Sequence, residues 1–166
     1  MIDLYTWPTP NGRKISILLE ELNSQYKAIP IDIRNNEQFQ KEFTKISPSN
    51  KIPAIFDHET QTSIFESGAI MLYLADKYDK FLPKKSYWIT MEWFMFQLTQ
   101  VGPILGQAHQ FLFYHPGQGE FVENKYIDYA KRIYETLNTR LEQRKYLGDE
   151  FSIADMATWP WIARFE

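Results

Sequence analysis

The sequence predicts an α/β half followed by an all-α half within 166 residues. Three observations predict it. Strand-like and helix-like apolar patterns take turns as far as Tyr78. A breaker-bearing stretch, Asp79 to Ser86, follows with Pro83 and two lysines. Beyond it no strand pattern returns.

Ile2 to Tyr5 reads as a short strand, ended by Thr6-Trp7-Pro8-Thr9-Pro10-Asn11-Gly12. Ile15, Leu18, Leu19 and Leu22 then share one helical face. Ile29, Ile31 and Ile33 alternate with Pro30 and Asp32, which predicts a strand, with Pro30 favouring an edge. Gln38 to Lys45 predicts a short helix around Phe39, Phe43 and Ile46, stopped by Ser47-Pro48-Ser49-Asn50. Ala54 to Phe56 and Thr62 to Phe65 predict paired strands across a turn at Asp57 to Gln61. A third helix carries Ile70, Tyr73, Leu74 and Tyr78 on one face. A βαβ unit followed by a ββα unit is the thioredoxin-like arrangement, its first two strands parallel and its last two antiparallel. The expected domains are therefore 1–80 and 87–166.

In the second half, Trp88 to Phe113 is aromatic and amphipathic, with Gly102-Pro103 as a kink or break. Ile127, Ala130, Tyr134, Leu137 and Leu141 step along another helix. Ser152-Ile153-Ala154-Asp155 has the form of a capping box ahead of a final helix.

Composition narrows the function. A hydrophobic fraction of 44%, with 16% aromatic residues, supplies a core. A formal net charge of −3 gives no long-range pull toward nucleic acid or an anionic membrane. The basic pairs Arg13-Lys14, Lys84-Lys85 and Arg144-Lys145 read as solvated surface. Glu92, Gln97 and Gln100 interrupt the apolar stretch from Trp88 to Leu105, which falls short of the roughly 20 residues of a membrane span. Met1-Ile2-Asp3-Leu4 lacks a charged region leading into an apolar one, so a cytoplasmic protein is expected. None of the residues is cysteine, so any thiol chemistry needs a sulfur brought by a ligand. His58 and His115 have no partners at metal-ligand spacing, and no metal is expected.

Three segments carry candidate chemistry. Thr9, Pro10, Asn11 and Gly12 stand where the first strand hands over to the first helix, whose amides favour negative charge. A thiolate placed there has its pKa lowered; the plainer alternative is an Asn11 N-cap and a Thr9 turn. In Lys51-Ile52-Pro53-Ala54-Ile55, a cis proline would aim the Ile52 backbone at a peptide ligand as a short added strand. Glu66-Ser67 opens the third helix, where Ser67 suits a carboxylate and Glu66 a neighbouring ammonium, together the α-amino-acid end of a γ-glutamyl group. The plainer alternative is an ordinary N-cap.

Together these segments resemble the glutathione transferase family, through Asn50-Lys51-Ile52-Pro53-Ala54-Ile55, the run Phe65 to Ala75 (FESGAIMLYLA) and the Ser152–Asp155 box. Pro8-Thr9-Pro10-Asn11-Gly12 stands where common classes place a catalytic Tyr, Ser or Cys. With Leu105-Gly106-Gln107-Ala108-His109 and Trp159-Pro160-Trp161, it resembles the nu class, related to the prion-forming nitrogen regulator. The resemblance implies a glutathione-binding first domain, a helical second domain and a homodimer. It implies disulfide reduction with glutathione, or its disulfide, in place of a protein cysteine. It further implies that Asn11, Gln38, Lys51, Ile52, Pro53, Glu66, Ser67 and Arg132 bind glutathione, and that Thr9 and Asn11 stabilise its thiolate. From the residues alone Arg132 reads equally as a surface salt-bridge partner. Tyr5 reads as packing before hydroxyl donor, and His109 as a hydrogen-bonded helix residue before a cleft-lining one.

Two other activities fit the same residues: conjugation of glutathione to electrophiles, and glutathione-fold binding or regulation without catalysis. Proteins of this family usually continue with a further helix or two, so the second domain is expected to be short. Ile153, Met156, Trp159, Trp161 and Phe165 are then expected to lack their normal cover.

Overall fold

The computed structural model describes residues 1–163, and the chain divides into two compact units, Met1–Leu82 and one that begins at Pro83. The first unit is a four-stranded sheet in the order β2-β1-β3-β4 with three helices. Its elements are β1 (Ile2–Thr6), α1 (Pro10–Glu21), β2 (Tyr26–Pro30), α2 (Lys41–Ile46), β3 (Ala54–Asp57), β4 (Thr62–Phe65) and α3 (Ser67–Tyr78). β1 runs parallel to β2 and antiparallel to β3, and β3 is antiparallel to β4. This is the expected thioredoxin-like sheet.

Its core follows from the sequence periods. Ile15, Leu18 and Leu19 of α1 and Ile70, Met71 and Leu74 of α3 are fully buried, as are Leu4 and Ile55 from adjacent strands. Two aromatic positions of α3 behave differently from core. Tyr73 donates its hydroxyl proton to Asp57 Oδ2 at 2.7 Å, and Tyr78 bonds Ser24 at 2.8 Å. Each ring is half-buried because its hydroxyl keeps a polar partner at the rim.

Two elements of this unit depart from expectation. The second strand ends at Pro30 rather than running to Ile33. The Asp32 carboxylate takes the Arg34 amide at 2.9 Å and turns the chain into a 3-10 turn, Ile33–Asn35. The helix expected over 38–45 is a 3-10 turn, Glu37–Phe39, then α2, separated by an extended Gln40. Gln38 therefore sits in the turn, ahead of the α-helix.

The second unit holds α4 (Tyr87–Phe96), α5 (Gly102–His109), α6 (Glu120–Leu141) and α7 (Ile153–Ile162). Wider π-type turns at Gln97–Val101 and Gln110–Tyr114 follow α4 and α5. The expected break at Gly102-Pro103 is the seam where α5 begins. α6 starts two turns before Ile127, and Tyr134 and Leu141, expected on its packed face, remain 37% and 46% exposed. An apolar groove of about 690 Å³ between α5 and α6 accounts for the exposed Tyr134, which lines it with Ile127 and Ala130.

The capping box forms as its spacing predicts. Asp155 Oδ2 accepts from the Ser152 amide at 3.0 Å, and Ser152 Oγ accepts from the Ala154 amide at 3.3 Å. The other Asp155 oxygen accepts from Leu147 at 2.8 Å, which ties the preceding loop to the helix start. The expectation of an uncovered α7 face is corrected. Ile153, Met156 and Trp161 are 0%, 1% and 7% exposed, and only Trp159, at 57%, stands out. The Trp161 indole lies against Gly102 and Gly106, where a Cβ would approach it to 3.6 and 3.4 Å. Phe165 lies outside the described residues.

Candidate functional site

Strand register builds the site. Tyr5 pairs with Ala54, and Ala54 pairs with Phe65. The turn after β1, the Ile52–Pro53 segment before β3 and the Glu66–Ser67 corner after β4 therefore lie at one end of the sheet. β2 is parallel to β1 with Thr6 beside Pro30, so the segment carrying Gln38 leaves from that end too. Thr9, Asn11, Lys51, Ile52, Pro53, Glu66 and Ser67 are brought to that end by two ladders, β1–β3 and β3–β4, and span most of the unit in sequence.

At the first corner Thr9, in an extended conformation, is the N-cap of α1. Its Oγ accepts the Gly12 amide proton at 3.2 Å, and Pro10, which has no N–H to satisfy, occupies the first helical position. The plainer reading with Asn11 as cap is thus corrected: the cap is Thr9, two residues earlier, and half-buried Asn11 stands in the first turn of the helix. Gly12 has no room for a side chain. A Cβ there would overlap the Trp7 carbonyl oxygen and the Thr6 hydroxyl. With its oxygen committed to Gly12, the Thr9 hydroxyl keeps its proton as a donor.

At the second corner the Ile52–Pro53 peptide is cis. Pro53 is buried, Ile52 half-buried and Lys51 exposed. The loop leading to them is pinned from below by a residue the sequence reading passed over. Ser47, fully buried, donates to the Lys51 carbonyl at 2.8 Å, while Thr44 donates to Asn50 at 2.9 Å.

At the third corner Glu66 is exposed and holds φ 69°, and Ser67 is buried at the first position of α3. A non-glycine residue at that φ is strained by about 1–3 kcal/mol, and such strain gathers at ligand sites. Gln38 is half-buried, and its Oε1 is shielded from solvent without a hydrogen-bond partner among the described residues.

Sequence reasoning also missed Lys14. The Arg13-Lys14 pair reads as solvated surface, yet Lys14 is 2% exposed and its Nζ lies 3.5 Å from Ser67 Oγ. Burial presses its ammonium down to about 7, with the Glu66 carboxylate opposing. The signal was legible in the helical period: Lys14, Leu18 and Leu22 form one i, i+4 row, and both leucines are buried.

Arg132 belongs to the second unit. It is exposed on α6, with its guanidinium 5.9 Å from the Tyr129 ring centre. His109 packs against Phe113 and Tyr114 at 5.0 and 5.1 Å and lines the groove between α5 and α6. Tyr5 packs against Phe43 at 6.1 Å between ring centres. His58 pairs with Asp3 at 2.9 Å. No cluster of metal-ligating side chains occurs among the described residues, and no helix there is long and apolar enough to cross a membrane.

Residues 1–76 match the N-terminal domain of glutathione S-transferases, and residues 120–166 match their C-terminal domain. The chain belongs to the glutathione transferase family. It is 45% identical to the disulfide-bond oxidoreductase YfcG of Escherichia coli, over 98% of this chain and 79% of that protein. It is 37% identical to the protein URE2 of Candida maltosa, over 82% of this chain and 44% of that protein, in keeping with the nu-class resemblance. A solved glutathione transferase from Pseudomonas putida superposes with a TM-score of 0.93 at 38% identity, covering 98% of this chain and 74% of that one. That structure holds one glutathione disulfide per subunit.

Proposed function

We propose that this transferase-family protein is a glutathione-dependent disulfide oxidoreductase. The observation that carries the reading is the gathering of three corners at one sheet end in a sequence without cysteine. A helix N-terminus offers donors to a sulfur, an edge-like backbone precedes Pro53, and an acid–hydroxyl pair opens α3. These are complementary, in order, to the thiolate, the peptide backbone and the γ-glutamyl end of glutathione. Kinship with a disulfide-bond oxidoreductase and with a protein that holds glutathione disulfide supports it.

In this mechanism Thr9 and Asn11, with the α1 dipole, stabilise the thiolate of bound glutathione. The thiolate attacks one sulfur of a substrate disulfide, forming a mixed disulfide and releasing one substrate thiolate, which takes up a proton. A second glutathione thiolate attacks the glutathione sulfur of the mixed disulfide. Glutathione disulfide forms, the second substrate thiol leaves, and two electrons have passed to the substrate. Ile52, held by Pro53, pairs with the tripeptide backbone, and Lys51 stands beside it as an exposed cation. Gln38 turns its desolvated amide to the same ligand, and Glu66 and Ser67 hold the γ-glutamyl amino and carboxylate groups. A glutathione-rich, reducing compartment such as the cytoplasm suits this chemistry. We also infer a homodimer, since exposed Tyr87 and Trp88 give α4 an aromatic face open to a second copy.

The test is turnover of a small disulfide with glutathione by folded protein, beside an aromatic halide as electrophile. Reduction above the uncatalysed exchange rate supports the reading. Conjugation without disulfide reduction, or no turnover, rejects it.

A further inference from the structure

The geometry points to Lys14 as a positioning residue that fixes the direction of the Ser67 hydroxyl and so governs recognition of the ligand's γ-glutamyl carboxylate. This rests on the glutathione reading above. Lys14 projects from α1 into the packing between α1 and α3 and is 2% exposed, with Nζ 3.5 Å from Ser67 Oγ. An ammonium donates and cannot accept. While Lys14 is charged, Ser67 Oγ must accept from it, and the hydroxyl proton turns outward as the donor a carboxylate needs. A neutral amine can accept instead, and the Ser67 proton then turns inward, leaving an oxygen lone pair facing the carboxylate.

The surroundings make this a balance rather than a fixed state. Burial drives the Lys14 ammonium down to about 7, into the range where its charge responds to occupancy. Glu66 is the carboxylate that acts on it from the start of α3. The other charges of α3, Asp76 and Lys77, lie at its far end, roughly 13 Å along the helix axis. On α1 itself Arg13 is exposed, and Glu20 and Glu21 stand exposed in the last turn. In the strands, Asp57 is engaged by Lys77 and Asp3 by His58. A carboxylate arriving at Ser67 therefore favours the protonated lysine, and by linkage its binding takes up a proton above neutrality.

Calorimetric titration with S-methylglutathione, whose sulfur no longer ionises, tests this between about pH 6 and about pH 8, below the range where an ordinary lysine titrates. For the wild type, affinity falls as pH rises, by at most about tenfold per unit for one linked proton. Binding near the upper limit takes up a proton, seen as an enthalpy that varies with the buffer's ionisation heat. Lys14→Met binds about tenfold more weakly at the acid end, with a flat profile and no added proton, yet unfolds at the same temperature or higher. Lys14→Arg, which keeps its charge, restores affinity and flattens the profile. An analogue lacking the α-carboxylate is bound equally by wild type and Lys14→Met. Should Lys14→Met not fold, proton uptake by the wild type compared with Ser67→Ala decides. A flat wild-type profile without proton uptake, or a variant that keeps the wild-type profile, overturns the role of Lys14 alone. No binding by the wild type overturns the glutathione reading and this inference with it.

Discussion

Thr9 receives the Gly12 amide proton on its hydroxyl oxygen at 3.2 Å, so one side chain both caps α1 and keeps a hydroxyl proton for the thiolate role proposed above. The two roles separate on substitution. Thr9→Ser preserves both and should leave stability and disulfide reduction close to wild type. Thr9→Val removes the cap, at about 0.5–2 kcal/mol of stability. It also removes the proposed bond to the glutathione thiolate, so kcat/KM for disulfide reduction should fall about 10- to 100-fold. Urea denaturation and steady-state kinetics read the two effects independently.

Gly12→Ala should damage the same corner by crowding. The added methyl meets the Trp7 carbonyl oxygen and the Thr6 hydroxyl, both on the turn that delivers Thr9. The expected loss is about 1–3 kcal/mol. Glutathione affinity should fall with it, measured by calorimetry under conditions where the variant stays folded.

Glu66→Gly should divide stability from function in the opposite sense. Glycine adopts φ 69° without penalty, so unfolding midpoints should hold or rise. The carboxylate proposed to meet the ligand's ammonium is gone, and glutathione affinity should drop about tenfold or more, as expected for a charge-assisted bond. A variant that keeps wild-type affinity would remove Glu66 from the site.

The Asp57 carboxylate should govern acid stability. Burial works to raise its pKa, but the bonds from Lys77, Tyr73 and the Glu59 amide prevail and hold it at about 2. A depressed folded value means stabilisation that is full above the ordinary carboxylate pKa and is lost as pH falls toward the folded one. Wild-type stability should therefore decline from about pH 5 downward, over a window that Asp57→Asn flattens. At neutral pH that variant should lose about 1–3 kcal/mol, because the bonds that Lys77, Tyr73 and the Glu59 amide make to the buried carboxylate are weakened while Lys77 keeps Glu59 as its partner. Denaturation midpoints across that range check both statements.

The fold was legible where side chains obey a period. The α1 and α3 stripes, the β3–β4 pair and the Ser152–Asp155 box all follow from local pattern, and the strand–helix order carries the sheet topology. What was not legible depends on single side chains overriding a period. Asp32 ends β2 early by capping the following turn, and no alternation of isoleucines reveals that. The three corners of the site were visible as strings, but their assembly at one sheet end requires the register of Tyr5 with Ala54 and Ala54 with Phe65. Lys14 was hidden by its neighbour. Beside exposed Arg13 it reads as half of a surface pair, and only its row with Leu18 and Leu22 marks it as inward. Ser47 gave no signal beyond that of a turn residue, because its hydrogen bond to Lys51 is a tertiary fact.

The direct test is the thiol pKa of glutathione bound to this protein, read from thiolate ultraviolet absorbance across a pH titration. With no cysteine among the 166 residues, the thiolate signal belongs to the ligand. A midpoint at least about one unit below the ordinary thiol value of roughly 8.5, moving back up in Thr9→Val, is the predicted result. Bound glutathione that titrates as it does in free solution would contradict the account.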